Sequence, residues 1–100
     1  MNFKLTHIPK RPEQPREKGL TMVMDKGLSL NQAAEMIDAS GNYIDVVKFG
    51  FGTSYITNNL DKKVKLYQGA GIKVYFGGTL FEAFLIRNMF KDYQRLLDKY

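Results

Sequence analysis

The sequence contains no cysteine and a single histidine, His7, which lies near the N-terminus. It can therefore form neither a disulfide framework nor a thiolate metal site. It also lacks a GxSxG motif; with no cysteine and its one histidine near the N-terminus, it lacks the parts of a nucleophilic triad. No segment approaches the ~20 apolar residues of a membrane span, and no signal-peptide stretch is present. These absences predict a cytoplasmic protein with no membrane partner.

Positive charge is in excess, with a formal net charge of +5, but it is unevenly distributed. Residues 1–18 carry five basic and two acidic side chains, so +3 of the excess lies there and +2 in the remainder. The later lysines are scattered and no arginine–aromatic pattern accompanies them, which argues against nucleic-acid binding. The remaining excess suits either a modest anion-binding role or solubility.

The first 18 residues are predicted to form an extended basic arm, and residues 19–100 a single domain. Pro9, Pro12 and Pro15 recur at every third position, which favours a polyproline-like path. Such an arm either binds an aromatic groove or forms a stiff segment that lies over the domain.

Within the domain, three apolar segments are predicted to be buried strands, each followed by a turn. They are LTMVM (residues 20–24), YIDVVKF (43–49) and IKVYF (72–76). Helical spacing follows each of them. The apolar stripes are Leu30, Ala33, Ala34 and Ile37, then Leu60, Val64 and Tyr67, and finally a long stretch to Tyr100 that is broken near Asn88. Capping boxes are expected at Ser29–Gln32 and Thr79–Glu82.

Strands joined by helices run parallel, and strands apolar on both sides are expected to be covered on both faces. Right-handed crossovers place the carboxyl ends of the strands at one edge of the sheet. In α/β folds this edge binds ligands. The residues expected to meet there are Asp25, Lys26, Lys48, Gly50, Gly52, Thr53, Ser54, Gly77, Gly78, Thr79 and Glu82.

These residue types suit a small, doubly anionic substrate that carries a phosphate. Lys48 ends a buried strand, where an ammonium group needs an anionic partner. Glycines allow backbone N–H groups to approach a phosphate, and a helix N-terminus adds its positive dipole end. Asp25 and Glu82 supply the hard oxygens that Mg²⁺ prefers.

Each candidate also has a purely structural interpretation. Asp25 could simply begin a helix, and Glu82 could only complete a capping box. Lys26 could be solvated, and the glycines could only serve their turns. Thr53 and Ser54 could be helix caps instead of ligand hydroxyls. The residue pattern leaves these alternatives open.

The segments RPEQPREKGLTMVMDKGLS, DVVKFGFGTS and VYFGGTLFE, in this order and spacing, resemble the N-terminal half of the phosphosulfolactate synthase family. The likeness runs from about Arg11 to the end; Phe51 stands where many members have tryptophan between the glycines. The resemblance implies a (β/α)8 TIM-type barrel that adds sulfite to phosphoenolpyruvate with Mg²⁺, a lyase step of coenzyme M biosynthesis. It further implies that Lys48 and Lys26 bind anionic groups and that Asp25 and Glu82 lie at or near a metal.

The chain has 100 residues, whereas a complete barrel needs roughly 200 to 250. We therefore expect an α/β fold of parallel βα units, an incomplete barrel of about three strands. Such a chain is either a fragment of a longer protein, weak or inactive alone, or a half-barrel that forms a homo-oligomer. Two further hypotheses are a non-catalytic relative that binds a phosphorylated metabolite or a protein partner, and a self-associating scaffold.

Overall fold

The computed structural model describes residues 2–100, in which strands alternate with helices. None of the helices in this range has the length and apolarity needed to cross a bilayer. Two short 3-10 turns, Gly41–Tyr43 and Thr53–Tyr55, precede and follow the second strand. The strands and α-helices are β1 (Met22–Asp25), α1 (Leu30–Ser40), β2 (Val46–Phe49), α2 (Leu60–Gly69), β3 (Lys73–Phe76), α3 (Gly78–Leu85) and α4 (Phe90–Lys99).

The three strands form one open parallel sheet in the order β1-β2-β3. Met24 is paired with Lys48 and Lys48 with Tyr75; one residue later, Asp25 is paired with Phe49 and Phe49 with Phe76. All three strands therefore end at the same edge. This confirms the predicted α/β class, a part of a (β/α) barrel.

One face of the sheet packs against the helices. Alternate side chains along each strand point to this face, because the side-chain period of a strand is two. The ring centroid of Phe49 lies 6.0 Å from that of Tyr67 in α2, and Phe76 lies 5.6 Å from Tyr100. The buried apolar residues of this layer are Ala33, Ile44, Val47, Phe49, Val64, Tyr67, Ile72, Phe76 and Leu80.

The opposite face of the sheet is not covered by the residues that the structure describes. Met22 and Tyr75, which lie on it, are 49% and 43% exposed. The expectation that both faces are covered was therefore wrong for residues 2–100. In a closed barrel this is the face that points to the interior.

The predicted helix boundaries are partly correct. The Ser29–Gln32 capping box is present, with Gln32 N–H donating to Ser29 Oγ at 3.1 Å and Ser29 N–H to Gln32 Oε1 at 2.9 Å. The predicted box at Thr79–Glu82 was wrong, because α3 already begins at Gly78 and its N-cap is Gly77, which has no side chain. Ala34 is exposed instead of lying in the apolar stripe.

The break in the last helical stretch is confirmed. Helix α3 ends at Leu85 and α4 begins at Phe90. Between them, Asn88 has a φ of 56°. Asparagine tolerates this left-handed conformation better than most residues, which stops the helix there.

The proline-rich arm lies against the amino-terminal end of β2. Arg11 and Arg16 donate to the two carboxylate oxygens of Asp45, at 3.1 and 2.9 Å. Arg16 also donates to the carbonyl of Asn42 at 3.0 Å, and Gln14 donates to the carbonyl of Ile44. These contacts fit the second interpretation of the arm, a segment that lies over the domain; the boundary at residue 18 stays a prediction.

Candidate active site at the carboxyl edge of the sheet

Backbone hydrogen bonds hold the three strand ends together beyond the sheet. Gly50 N–H donates to the carbonyl of Asp25 at 2.9 Å, and Gly77 N–H donates to that of Phe49 at 2.9 Å. These bonds continue the parallel ladder into the turns. The three predicted loops therefore start from one edge, side by side.

Beyond the strands, the loops approach closely where glycines stand. A methyl group at Gly50 would lie 2.8 Å from Met24 Cγ and Sδ, and one at Gly77 would lie 2.8 Å from Lys48 Cε. At Gly52, with a φ of +70°, it would lie 3.6 Å from Thr79 Cγ2. The first two distances are shorter than van der Waals contact, so a larger residue at Gly50 or Gly77 would require the Met24 or Lys48 side chain to move.

Lys48 lies at the centre of this edge, on the sheet face that the helices leave uncovered. Its side chain is half-buried, and its neighbours in register are Met24 and Tyr75. Among residues 2–100 it forms no ion pair with a carboxylate. The ammonium group is thus available to an anion from outside the chain.

The amino terminus of α3 lies beside Lys48. Gly77 has an extended backbone (φ −77°, ψ 171°) and provides no capping side chain. A methyl group at Gly78 would meet nothing within 4 Å, and Thr79 is exposed. The first N–H groups of a helix have no partner within the helix and carry its positive dipole end. Gly77, Gly78 and Thr79 therefore form a turn that suits an anionic group.

The hydroxyls of Thr53 and Ser54 differ in their partners. Thr53 Oγ1 donates to the carbonyl of Gly50 at 2.8 Å, which closes the turn after β2. Ser54 Oγ is buried and has no hydrogen-bond partner among residues 2–100. A buried hydroxyl without a partner costs about 1–3 kcal/mol, so Ser54 is a ligand candidate and Thr53 is engaged in the fold.

Lys26 and Phe51 connect the first two loops at the solvent side. The Lys26 ammonium lies 5.5 Å from the centroid of the Phe51 ring, within the range of a cation–π contact. Phe51 has a φ of 54°, a left-handed conformation that costs roughly 1–2 kcal/mol in a residue with a bulky side chain. Backbone strain of this kind gathers at functional loops.

Asp25 is part of the edge, but its carboxylate points away from Lys48 into the helix layer. Gly27 N–H and Leu28 N–H both donate to Oδ1 at 2.8 Å, and the Tyr67 hydroxyl donates to Oδ2 at 2.8 Å. Lys63 Nζ lies 2.8 Å from the same Oδ2, and both side chains of this ion pair are fully buried. Adjacent strand positions point to opposite faces, which separates Asp25 from Lys48.

These partners determine the protonation state of the Asp25 carboxyl group. Burial opposes the charged carboxylate, but the Lys63 ammonium, the two backbone N–H groups and the Tyr67 hydroxyl outweigh it and lower the pKa of Asp25. Burial, with the neighbouring Asp25 charge, raises the pKa of the Tyr67 phenol. The pair is therefore a carboxylate and a neutral phenol at neutral pH.

The sequence analysis did not predict the polar contacts of Lys63 and Tyr67. Both lie on the inner face of α2, and Lys63 interrupts the stripe of Leu60, Val64 and Tyr67 at the i+3 position. A lysine inside an apolar stripe requires a buried anionic partner, and this was the available signal. Its partner Asp25 lies 38 residues earlier in sequence, so the pairing could be identified only from the folded structure.

The predicted magnesium ligands are not brought together in a way that supports a metal site. Both oxygens of Asp25 already accept hydrogen bonds, and an ammonium group lies where a second cation would be repelled. Glu82 is exposed on α3. Among residues 2–100, no group of three or more His, Asp or Glu side chains could hold a metal ion. Magnesium binding by Asp25 and Glu82 stays a prediction, and these contacts give it no support.

Comparison with known proteins gives a consistent result over nearly the whole chain. The family profile described as (2R)-phospho-3-sulfolactate synthase (ComA) matches residues 9–100. A phosphosulfolactate synthase of Bacillus subtilis is 36% identical over 95 residues, which are 95% of this chain and 38% of that protein. One of Methanocaldococcus jannaschii is 40% identical over 85 residues, 83% of this chain and 34% of that protein.

A phosphosulfolactate synthase of Methanothermobacter thermautotrophicus is 36% identical over 87 residues, 85% of this chain and 34% of that protein. The chain thus spans little more than a third of the length of the curated relatives it matches. The profile match covers both the glycine-lined edge and the segment of the arm that binds Asp45. The chain belongs to the phosphosulfolactate synthase family.

Proposed function

We propose that this chain supplies the phosphate- and carboxylate-binding part of a lyase that adds sulfite to phosphoenolpyruvate to form phosphosulfolactate. Its relatives are named for that product. The proposal includes a cytoplasmic location and a place in a route such as coenzyme M biosynthesis. It treats Lys48 and the turns around it as the substrate-binding elements.

The observation that carries the proposal is Lys48 in its surroundings. The ammonium group has no carboxylate partner among residues 2–100 and adjoins Gly77, the N-cap of α3. A positive charge next to free backbone donors in a partly desolvated position binds a doubly charged oxyanion. Phosphoenolpyruvate carries two such groups, its phosphate and its carboxylate.

In the proposed reaction, the sulfur lone pair of sulfite attacks the methylene carbon of phosphoenolpyruvate. A C–S bond forms while the π electrons of the C=C bond move toward the carboxylate, which becomes an enediolate. A proton from a general acid then adds to the carbon that bears the phosphate ester. Lys48 stabilises the charge that develops on the carboxylate, where a fixed cation lowers the barrier electrostatically.

No step of this scheme is assigned to magnesium, because Asp25 is fully engaged with Lys63, Tyr67 and two backbone N–H groups. In the part of the chain that the structure describes, Glu82 is the other predicted ligand; it is exposed and belongs to no group of side chains that could hold a metal ion. Lys26, which contacts Phe51, is proposed as a second cation for the anionic substrate. The roles of Gly50, Gly52, Ser54, Gly78 and Thr79 in binding are part of the same proposal.

Two measurements test this function. Calorimetry with phosphoenolpyruvate should show binding by this chain that Lys48→Met weakens at least about tenfold, as loss of a charge-assisted contact predicts. Lys73→Met is the matched control, because Lys73 lies on the same sheet face at the amino-terminal end of β3 and should have no effect. In a second assay, the complete product of the gene should consume phosphoenolpyruvate only when sulfite is present. Loss of phosphoenolpyruvate at the same rate without sulfite would contradict the activity.

A second candidate is binding of a phosphorylated metabolite without turnover. It is favoured by the composition of the edge, where the described residues offer cations and backbone donors but no carboxylate beside Lys48. Binding lost in Lys48→Met, together with no sulfite-dependent reaction by the complete gene product, would establish this candidate over the lyase.

A further inference from the structure

A buried polar cluster connects helix α2 to the loop after β1. It consists of Lys63 and Tyr67 of α2 and Asp25 at the end of β1. All three side chains are fully buried. The sulfite addition proposed above uses none of them as a reacting group, so the cluster requires a separate explanation.

Burial of the charged groups in this cluster costs free energy. Burying an ammonium and a carboxylate removes hydration that their mutual attraction only partly replaces. The Lys63 ammonium makes no well-aligned hydrogen bond among residues 2–100, although it lies 2.8 Å from Asp25 Oδ2 and 5.3 Å from the Phe49 ring centroid. Replacing both members of such a pair by apolar side chains of similar volume is often neutral for stability, so core packing alone does not explain the presence of Lys63 and Asp25.

The hydrogen bonds of the cluster fix the backbone of the loop after β1. Asp25 Oδ1 accepts from Gly27 N–H and Leu28 N–H, and the backbone carbonyl of Asp25 accepts from Gly50 N–H. Gly27 has a φ of +112°, and a methyl group there would lie 3.8 Å from Thr53 Cγ2. The Asp25 side chain thus fixes the backbone after Lys26, and the Asp25 carbonyl fixes the backbone before it. Lys26 itself contacts Phe51 of the next loop.

We propose that Lys63 and Tyr67 are positioning residues that act through Asp25 to hold the loop of residues 26–28, so that Lys26 faces the bound anion. Lys63 fixes the charge of Asp25, and Tyr67 occupies a lone pair of Oδ2 and orients the carboxylate toward the loop. This role rests on the proposed binding of phosphoenolpyruvate at Lys48. It assigns a function to two helix residues more than 30 positions away in sequence from the loop they control.

The test uses this chain and Tyr67→Phe, which removes one hydroxyl and keeps the ring. Lys63→Met is a second variant, and Lys62→Met is its control, since Lys62 is exposed on the same helix. Amide hydrogen exchange is measured at Gly27 and Leu28, with Val47 in the sheet as the internal reference. Calorimetry gives the affinity for phosphoenolpyruvate, also for Lys26→Met and for Lys26→Met combined with Tyr67→Phe.

In Tyr67→Phe we expect exchange at Gly27 and Leu28 to be about tenfold faster, the effect of losing one hydrogen bond to a charged group, while Val47 is unchanged. The affinity should fall several-fold, and the double variant should bind no more weakly than Lys26→Met alone, because both changes remove the same contact. Lys62→Met should change neither measurement.

Two results would overturn the positioning role: unaltered exchange at Gly27 and Leu28, or an equal increase at Val47, which would mean a general loss of stability. Because Tyr67→Phe is a small change, the test holds even if Lys63→Met fails to fold. A wild-type chain that binds no phosphoenolpyruvate would contradict the proposed function, whereas the exchange result judges the loop contact separately.

Discussion

At the scale of single residues, the absence of a side chain at Gly77 leaves room for Lys48. Gly77 and Gly78 are neighbours in sequence but differ in their surroundings. A methyl group at Gly77 would lie 2.8 Å from Lys48 Cε and 3.1 Å from the carbonyl oxygen of Phe49. At Gly78 it would meet nothing within 4 Å. The two positions therefore form a matched pair for mutation.

We expect Gly77→Ala to lower the free energy of unfolding by about 1–3 kcal/mol, the usual effect of overpacking. It should also displace the Lys48 ammonium and weaken phosphoenolpyruvate binding. Gly78→Ala should leave stability unchanged or raise it by up to ~1 kcal/mol, because alanine favours a helix over glycine. Urea unfolding of both variants checks this. Equal stabilities for the two would show that the contact at Gly77 is not tight.

At the scale of elements, the arm is fastened to β2 through Asp45. Arg16 and Asp45 form an ion pair in which the side chains are 4% and 7% exposed, and Thr21 N–H donates to the same carboxylate at 2.8 Å. The pair Arg95–Asp92 on α4 is 76% and 47% exposed. Burial decides how much such a pair contributes, since water and salt screen the exposed one.

Arg16→Ala should lower the free energy of unfolding by about 1.5–3 kcal/mol, the usual contribution of a hydrogen bond to a charged group, because Arg11 and Thr21 N–H still bind the Asp45 carboxylate. Arg95→Ala should change it by less than about 0.5 kcal/mol. Proteolysis of the arm in native buffer should accelerate in Arg16→Ala alone. If both variants unfold at the wild-type urea concentration, the arm does not contribute to the stability of the domain.

How far the fold could be predicted also depends on the element. Strand and helix order followed from apolar periodicity, and the Ser29–Gln32 cap from two residues three positions apart. The start of α3 did not, because an uncapped Gly77 carries no polar signal and Thr79–Glu82 imitates one. The arm's attachment to Asp45 and the Asp25–Lys63–Tyr67 cluster depend on contacts between residues about 30 to 40 positions apart. Local pattern does not carry such contacts.

At the scale of the whole molecule, residues 2–100 leave one face of the sheet uncovered and have an elongated shape. The radius of gyration is 15.7 Å, larger than the roughly 13 Å of a compact domain of this size. Partly exposed Met22 and Tyr75 lie on the uncovered face. Apolar surface of this kind, with two open strand edges, favours association.

We therefore expect this chain to self-associate with increasing concentration. Met22→Lys combined with Tyr75→Lys should shift it toward the monomer, because lysines on this face repel one another and keep their water. Tyr55→Lys is the control, since Tyr55 is 86% exposed in the 3-10 turn after β2 and not in a strand. Sedimentation velocity distinguishes the species. Monomeric wild-type chain at every concentration would contradict the expectation.

Acid should destabilise the whole chain. The pKa of Asp45 is lowered by the hydrogen bond from Thr21 N–H and by the neighbouring Arg16 and Arg11, which outweigh the opposing effect of burial. The pKa of Asp25 is lowered as well. As the pH falls, the unfolded chain therefore binds protons before the folded chain does. The two carboxylates contribute their full stabilisation above the ordinary aspartate pKa of 3.8. This contribution is lost as the pH falls through their lower pKa values in the folded state.

The urea midpoint should accordingly be level between about pH 7 and about pH 5 and fall below about pH 4. Asp45→Asn should start from a lower midpoint and lose less of it in acid, because one of the two groups no longer titrates. A wild-type midpoint that stays constant to about pH 2 would mean that neither carboxylate favours the folded state through its charge.

Because strand neighbours point to opposite sides of the sheet, Asp25, which supports the first loop, and Lys48, the proposed anion-binding residue, are on separate layers, although both lie at the same edge. If the proposed site binds an anion, changes at positions 24, 48 and 75 would alter the shape and charge of its ligand surface without disturbing the contacts of Asp25 on the other face.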